Sequence, residues 1–120
     1  VLATLDEFES TDILERTRHL HTIFLKGLRR LKETGVIVNV RGEGMVFGIE
    51  CGPLGTMTPH QVANAVVERC YLGKPHGDGI HLLGPLADCV LRISPPMCMT
   101  DIDAEASLQL LFEFVSDVAA

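Results

Sequence analysis

The chain has 120 residues, enough for one domain with a modest core. Ten lysines and arginines against 16 aspartates and glutamates leave a formal charge of −6, and an acidic chain without a basic patch excludes nucleic acid or an anionic membrane as its main partner. Hydrophobic residues reach 47% but aromatics only 5%, so aliphatic side chains must fill the core, and no stretch reads as a transmembrane span or signal peptide.

In chain order, residues 2–9 predict a short helix. The chain enters this apolar stretch directly from Val1, and we expect a piece of something longer. Ser10-Thr11-Asp12 supplies a cap for a long helix running to about Glu33. Its buried face is Ile13, Thr17, Leu20, Phe24, Leu28 and Leu31, and Gly35 stops it. Val36–Val40 predicts a strand, Arg41–Gly44 a turn or bulge, and Met45–Glu50 a second strand, together a hairpin. Gly48 inside the second strand suggests a close backbone approach.

Thr58-Pro59-His60-Gln61 combines an N-cap, a proline at the first helical position and a capping box. The helix it opens runs to about Tyr71 and buries Val62, Ala65, Val66 and the stem of Arg69. Residues 73–79 read as a flexible loop, Ile80–Leu83 as a short strand, and residues 88–94 as a further strand. Thr100 caps a last helix with an apolar stripe of Ile102, Ala106, Leu110, Phe114 and Val115. The expected fold class is α+β: a two-layer sandwich, its small, mostly antiparallel sheet covered by helices.

Val90-Leu91-Arg92-Ile93 carries one permanent charge inside an apolar run that Pro95 and Pro96 end. Arg92 cannot shed its proton, so burial would demand an anionic partner or a ligand. A guanidinium on a rigid strand is a natural fork for a carboxylate, and the structural alternative is an internal ion pair with Glu50.

Other chemistry is sparse. Cys51, Cys70, Cys89 and Cys98 form no close pair, and the histidines at 19, 21, 60, 76 and 81 are scattered, so no metal site is expected. Reduced thiols suit a cytoplasmic protein. Arg41-Gly42-Glu43-Gly44 lacks the third glycine and following helix of a dinucleotide loop. Lys26 and Lys32 lie on a polar helix face and Lys74 in a loop, without the apolar surroundings that would depress an amine pKa. No nucleophile pairs with a base at a recognisable spacing.

The ordered pieces nonetheless resemble a family. Arg41-Gly-Glu-Gly-Met-Val-Phe-Gly-Ile-Glu50 is similar to the R-G-x-G-[LM]-x-x-G-[IV]-[ED] hairpin of class III aminotransferases, pyridoxal-phosphate enzymes of fold type I. Val90-Leu-Arg-Ile-Ser-Pro-Pro-Met97, then Thr100 and a helix, resembles their late proline-pair signature. The resemblance covers essentially the whole chain and only the C-terminal small domain of the family. Residues 71–83 depart from the pattern, where many members have a shorter strand.

The resemblance implies that the lysine carrying the cofactor, the aspartate on its pyridine nitrogen and the phosphate-binding residues belong to a large domain upstream of Val1. Residues 1–120 would then be one domain without cofactor of its own and inactive alone. Its partners would be that large domain, a second copy in a homodimer and a small amino or oxo acid. Arg92 would engage the substrate carboxylate, or a glutamate when the site is empty, and Arg41, Gly42 and Gly44 would shape the hairpin. Two other classes compete: a free-standing regulatory module that binds a small carboxylate without catalysis, and a purely structural interaction domain. Met45, Phe47, Met97 and Met99 lead us to expect an apolar surface needing a partner, through which the piece would self-associate.

Overall fold

Strands β1 (Ile37–Glu43) and β2 (Val46–Cys51) meet at a two-residue turn, Gly44–Met45. Gly44 takes φ +58° and Met45 does not share the positive φ, the pattern of a hairpin turn that wants glycine first. The predicted turn at Arg41–Gly44 is therefore shorter than expected, because Arg41, Gly42 and Glu43 all continue the β1 ladder. Strand β3 (Val90–Ile93) pairs antiparallel with the other side of β2, giving the order β1-β2-β3. Residues 1–120 are all described by this computed structural model.

Four helices complete the chain: α1 (Leu2–Ser10), α2 (Ile13–Arg30), α3 (Pro59–Leu72) and α4 (Asp101–Ala119), with a 3₁₀ turn at Leu31–Thr34 extending α2. Gly35 ends that turn at φ +77°. The capping box at Thr58 forms in both directions, Gln61 N–H donating to the Thr58 hydroxyl and Thr58 N–H to the Gln61 side chain. Thr100 caps α4 by accepting from the Asp103 N–H. Asp12 stands at the N-cap of α2 without a side-chain bond, and the Ser10 and Thr11 hydroxyls instead donate back to Asp6 and Glu7 carbonyls. The cap expected there marks the boundary but does not close it.

Helices α2, α3 and α4 cover one face of the sheet, while α1 buries no residue, so the α+β two-layer architecture holds. Phe47, Ile49, Leu91 and Ile93 point inward and join Leu20, Phe24, Leu28, Val62, Val66, Leu111 and Phe114 in one core. Phe47 stacks on His21 and Phe24, with ring centres 5.4 and 6.0 Å away. Met45 and Phe47 are thus core residues, and Met99 packs against the core, so of the apolar surface expected from these residues only Met97 is exposed.

Three further expectations fail. Ile80–Leu83 joins no strand; the Ile80 N–H bonds to the Cys70 carbonyl at the end of α3, and only Leu82 is buried. In α4 the core side is Ala104, Leu108, Leu111, Phe114 and Val115, while Ile102 and Ala106 face water. The helix is apolar on more than one side, so its stripe could be drawn in two phases. In α3 the core takes Ala63 and Cys70 with Val62 and Val66, leaving Ala65 half-buried.

Candidate functional site

Strand β3 alternates strictly. Leu91 and Ile93 face the core, and Val90 and Arg92 face the opposite, helix-free side of the sheet. Arg92 is exposed rather than buried, which removes the need for a neutralising partner that an apolar run suggested. The ion pair with Glu50 does not form. Glu50 Oε2 accepts instead from Arg41 Nη1 at 2.9 Å.

Register places these groups on one surface. Arg41 faces Gly48 across β1–β2, and Gly48 faces Arg92 across β2–β3. Directly opposed residues share a face, so Arg41, Gly48 and Arg92 form a row in which the middle position has no side chain. Both guanidiniums border a hollow of about 300 Å³ floored by Gly48 and walled by Val90, Leu83 and Leu86. On its other side Arg92 borders a cavity of about 420 Å³ lined by Leu82, Ser94, Pro95, Met99 and Leu108. Arg92 therefore stands at a junction of two concave surfaces, its guanidinium free of ion pairs while every other arginine but Arg18, Arg29 and Arg30 is in one. Arg18 and Arg29 are on the polar side of α2, and Arg30 lies over the Phe112 ring and donates to Gln109.

The arrangement can bind an anion; it holds no proton-transfer pair. The nearest ordered titratable clusters are elsewhere. Asp101 Oδ2 accepts from His19 Nε2 and Oδ1 forms an ion pair with Arg16 Nη1, each at 2.7 Å, and His19 ahead of Arg16 keeps the carboxyl below the usual aspartate range. Lys74, at the start of the loop after α3, reaches Glu113 at 2.7 Å and holds that carboxyl down. Lys74 is committed to Glu113, Lys26 and Lys32 are exposed in the α2 region, and no lysine lines either hollow beside Arg92. The residues present do not fit a pyridoxal-phosphate site. No cluster of three or more His, Cys, Asp or Glu converges to hold a metal ion, and no helix is long and apolar enough to cross a membrane.

Sequence reasoning placed Arg92 on the correct strand but missed Arg41 as its neighbour. The signal was available: Arg41 and Gly48 are seven residues apart across a hairpin whose two-residue turn sets them opposite each other.

The profile of the family described as Aminotransferase class-III matches residues 1–115. The adenosylmethionine-8-amino-7-oxononanoate aminotransferase of Methanocaldococcus jannaschii is 34% identical over 95 residues, covering 72% of this chain and 21% of that protein. The acetylornithine aminotransferase of Agrobacterium fabrum is 32% identical over 110 residues, covering 88% of this chain and 24% of that protein. Among solved structures, an acetylornithine aminotransferase from Elizabethkingia anophelis superposes with a TM-score of 0.80 at 19% identity, over 97% of this chain and 28% of that one. The chain thus spans under a quarter of the length of these two curated relatives.

Proposed function

Because this chain belongs to the class III aminotransferases, we propose that it is the C-terminal small domain of a longer, homodimeric enzyme that transfers an amino group to a 2-oxo acid. In this reading residues 1–120 form one domain that packs on a large domain of the same chain, closes the active site and contributes Arg92 as the fork for a substrate carboxylate. The observation that carries it is the unpaired Arg92 guanidinium on a rigid strand, between two hollows, with Glu50 held by Arg41.

The chemistry of such a site divides cleanly. Pyridoxal phosphate, which the family implies in full-length members, supplies the electron sink for amino-group transfer. Arg92 supplies orientation: two parallel N–H donors fix a carboxylate in position and in plane, and this lowers the barrier through proximity without moving a proton. The isolated domain, with no lysine near that guanidinium, is inactive by itself. Four free thiols, two of them buried, fit a reducing cytoplasm.

The test is Arg92→Ala in the full-length enzyme. KM for α-carboxylate substrates is expected to rise roughly ten- to a hundredfold, the range of a charge-assisted bond, with the cofactor absorbance retained. An unchanged KM would return Arg92 to a solvated surface residue.

A further inference from the structure

Cys51 ends β2, and Cys89 immediately precedes β3. The whole of α3 separates them in sequence, yet the β2–β3 register brings them together. Gly48 faces Arg92, Ile49 faces Leu91 and Glu50 faces Val90, so one further step along the same ladder sets Cys51 opposite Cys89. The ladder takes that step: the Cys51 N–H donates to the Cys89 carbonyl at 2.8 Å. A hydrogen-bonded antiparallel pair holds its Cα atoms about 5.5 Å apart, and disulfides most often join Cα atoms about 5.5–6 Å apart. Charge on Cys89 is, after burial, a cause of the raised Cys51 thiol, so the two sulfurs stand close enough to sense each other. Neither other cysteine has such a place. Cys70 is buried in α3, and Cys98 lies beyond the opposite end of β3, after Pro95 and Pro96.

We propose that Cys51 and Cys89 form an oxidisable dithiol, a modification site that a hydroperoxide closes to an intramolecular disulfide. Exposure sets the order of events. Cys89 is partly exposed, while Cys51 is buried with its thiol pushed up to about 11, so peroxide meets the Cys89 thiolate first. The Cys89 sulfur attacks one peroxide oxygen; an S–O bond forms, the O–O bond breaks, and water or an alcohol leaves behind a sulfenic acid. The Cys51 sulfur then attacks the sulfenic sulfur. An S–S bond forms, the S–O bond breaks, and the departing hydroxide takes the Cys51 proton as water. Together the two thiols give up two electrons and two protons, which reduce the hydroperoxide. The new bond fastens the start of β3 to the end of β2. Strand β3 is an edge strand, paired on one side only, and it carries Arg92. The same bond closes the ends of segment 52–88, which contains α3 and two walls of the hollow beside Arg92, Leu83 and Leu86. In a reducing compartment the site rests as two thiols, and the disulfide records exposure to peroxide.

The test treats the reduced full-length protein with hydrogen peroxide, blocks the remaining thiols, and digests without reductant, using trypsin and a protease that cuts before aspartate. Cuts after Arg69 and Arg92 and before Asp78 and Asp88 put Cys51, Cys70, Cys89 and Cys98 on separate peptides. Mass spectrometry is expected to find the Cys51 peptide joined to the Cys89 peptide, at the sum of their masses less two hydrogens, and dithiothreitol should abolish that product. C98S should keep it. C89S should lose it and leave Cys51 a free thiol. C51A should stop at the Cys89 sulfenic acid, which dimedone captures in larger yield than in the wild type; should C51A not fold, C89S and C98S still decide the pairing. Cys89 oxidised to the sulfinic or sulfonic acid beside a free Cys51, Cys89 joined to Cys70 or Cys98, or Cys89 left unoxidised while Cys98 is consumed would each overturn the proposal.

Discussion

Gly48 faces Arg92 directly across the β2–β3 ladder, and the missing side chain leaves open the floor of the hollow that the guanidinium overlooks. A larger residue would stand between Arg92 and Arg41. The clearance is nearly sufficient for a Cβ, since its closest neighbour would be Val90 Cγ1 at 3.2 Å, on the exposed side of the sheet. Gly48→Val should therefore fold, helped by the β-propensity of valine, yet fill the hollow. In the full-length enzyme we expect carboxylate KM to rise on the order of tenfold, the effect of a misplaced branched side chain in a binding pocket, while the thermal midpoint stays within a few degrees of wild type. A large fall in midpoint with unaltered KM would mean that Gly48 serves packing alone.

Gly42 makes a different demand. A Cβ on it would lie 2.4 Å from the Val46 carbonyl oxygen and 2.8 Å from Phe47 Cα, both backbone atoms that cannot swing aside. Gly42→Ala should destabilise the chain by about 1–3 kcal/mol through overpacking, read as a lower urea midpoint with an unchanged slope. Gly44→Ala in the same hairpin meets no atom within 4 Å, and its penalty comes only from φ +58°. It should be the milder of the two, about 1 kcal/mol.

The contrast between these glycines explains which parts of the fold could be read in advance. Local chemistry could: Thr58, Pro59 and Gln61 mark a helix start because the capping box closes within one turn, and Thr100 does the same for α4. Exposure could not. Val90-Leu91-Arg92-Ile93 looks like a run buried on both sides, and only the one-sided covering of the sheet turns Val90 and Arg92 outward. Ile80–Leu83 has the composition of a strand, but its Ile80 N–H is spent on the Cys70 carbonyl and β3 remains an edge. Pairing is a tertiary fact that composition does not carry. The site itself was half readable: Arg92 from its motif, but not the row it makes with Gly48 and Arg41, which needs the register.

Acid should weaken the α2–α4 contact at one identifiable place. Asp101, the first residue of α4, is hydrogen-bonded by His19 and ion-paired with Arg16, both from α2, and its carboxyl lies below the ordinary value of 3.8. A carboxyl whose folded pKa is depressed binds fewer protons in the native than in the unfolded chain, so it stabilises above 3.8 and that contribution disappears as pH falls through the folded value. Glu113, lowered from 4.5 by Lys74 and then Gln109, acts in the same sense. Urea midpoints followed downward from about pH 5 should fall less steeply in Asp101→Asn than in wild type. Parallel curves for the two proteins would show that the Asp101 bonds add nothing across this window.

The thiols should behave as two classes. Cys51 at the end of β2 and Cys70 in α3 are buried, and burial pushes both thiols up to about 11 from 9.0, with Cys89 and Glu50 adding to the effect at Cys51. Cys98 is exposed and Cys89 partly so. The thiolate is the reactive form, so iodoacetamide at neutral pH should label Cys98 first, Cys89 more slowly, and Cys51 and Cys70 only on unfolding, as peptide mass spectrometry would resolve. The same shift has a consequence for alkaline stability. Between 9.0 and about 11 the native chain keeps protons that the unfolded chain has lost, so the unfolding free energy falls as pH rises through this window. Cys70→Ala should flatten that decline at the expense of a small cavity beside Val66 in the α3 core. A decline equally steep in wild type and Cys70→Ala would assign the alkaline loss to other groups.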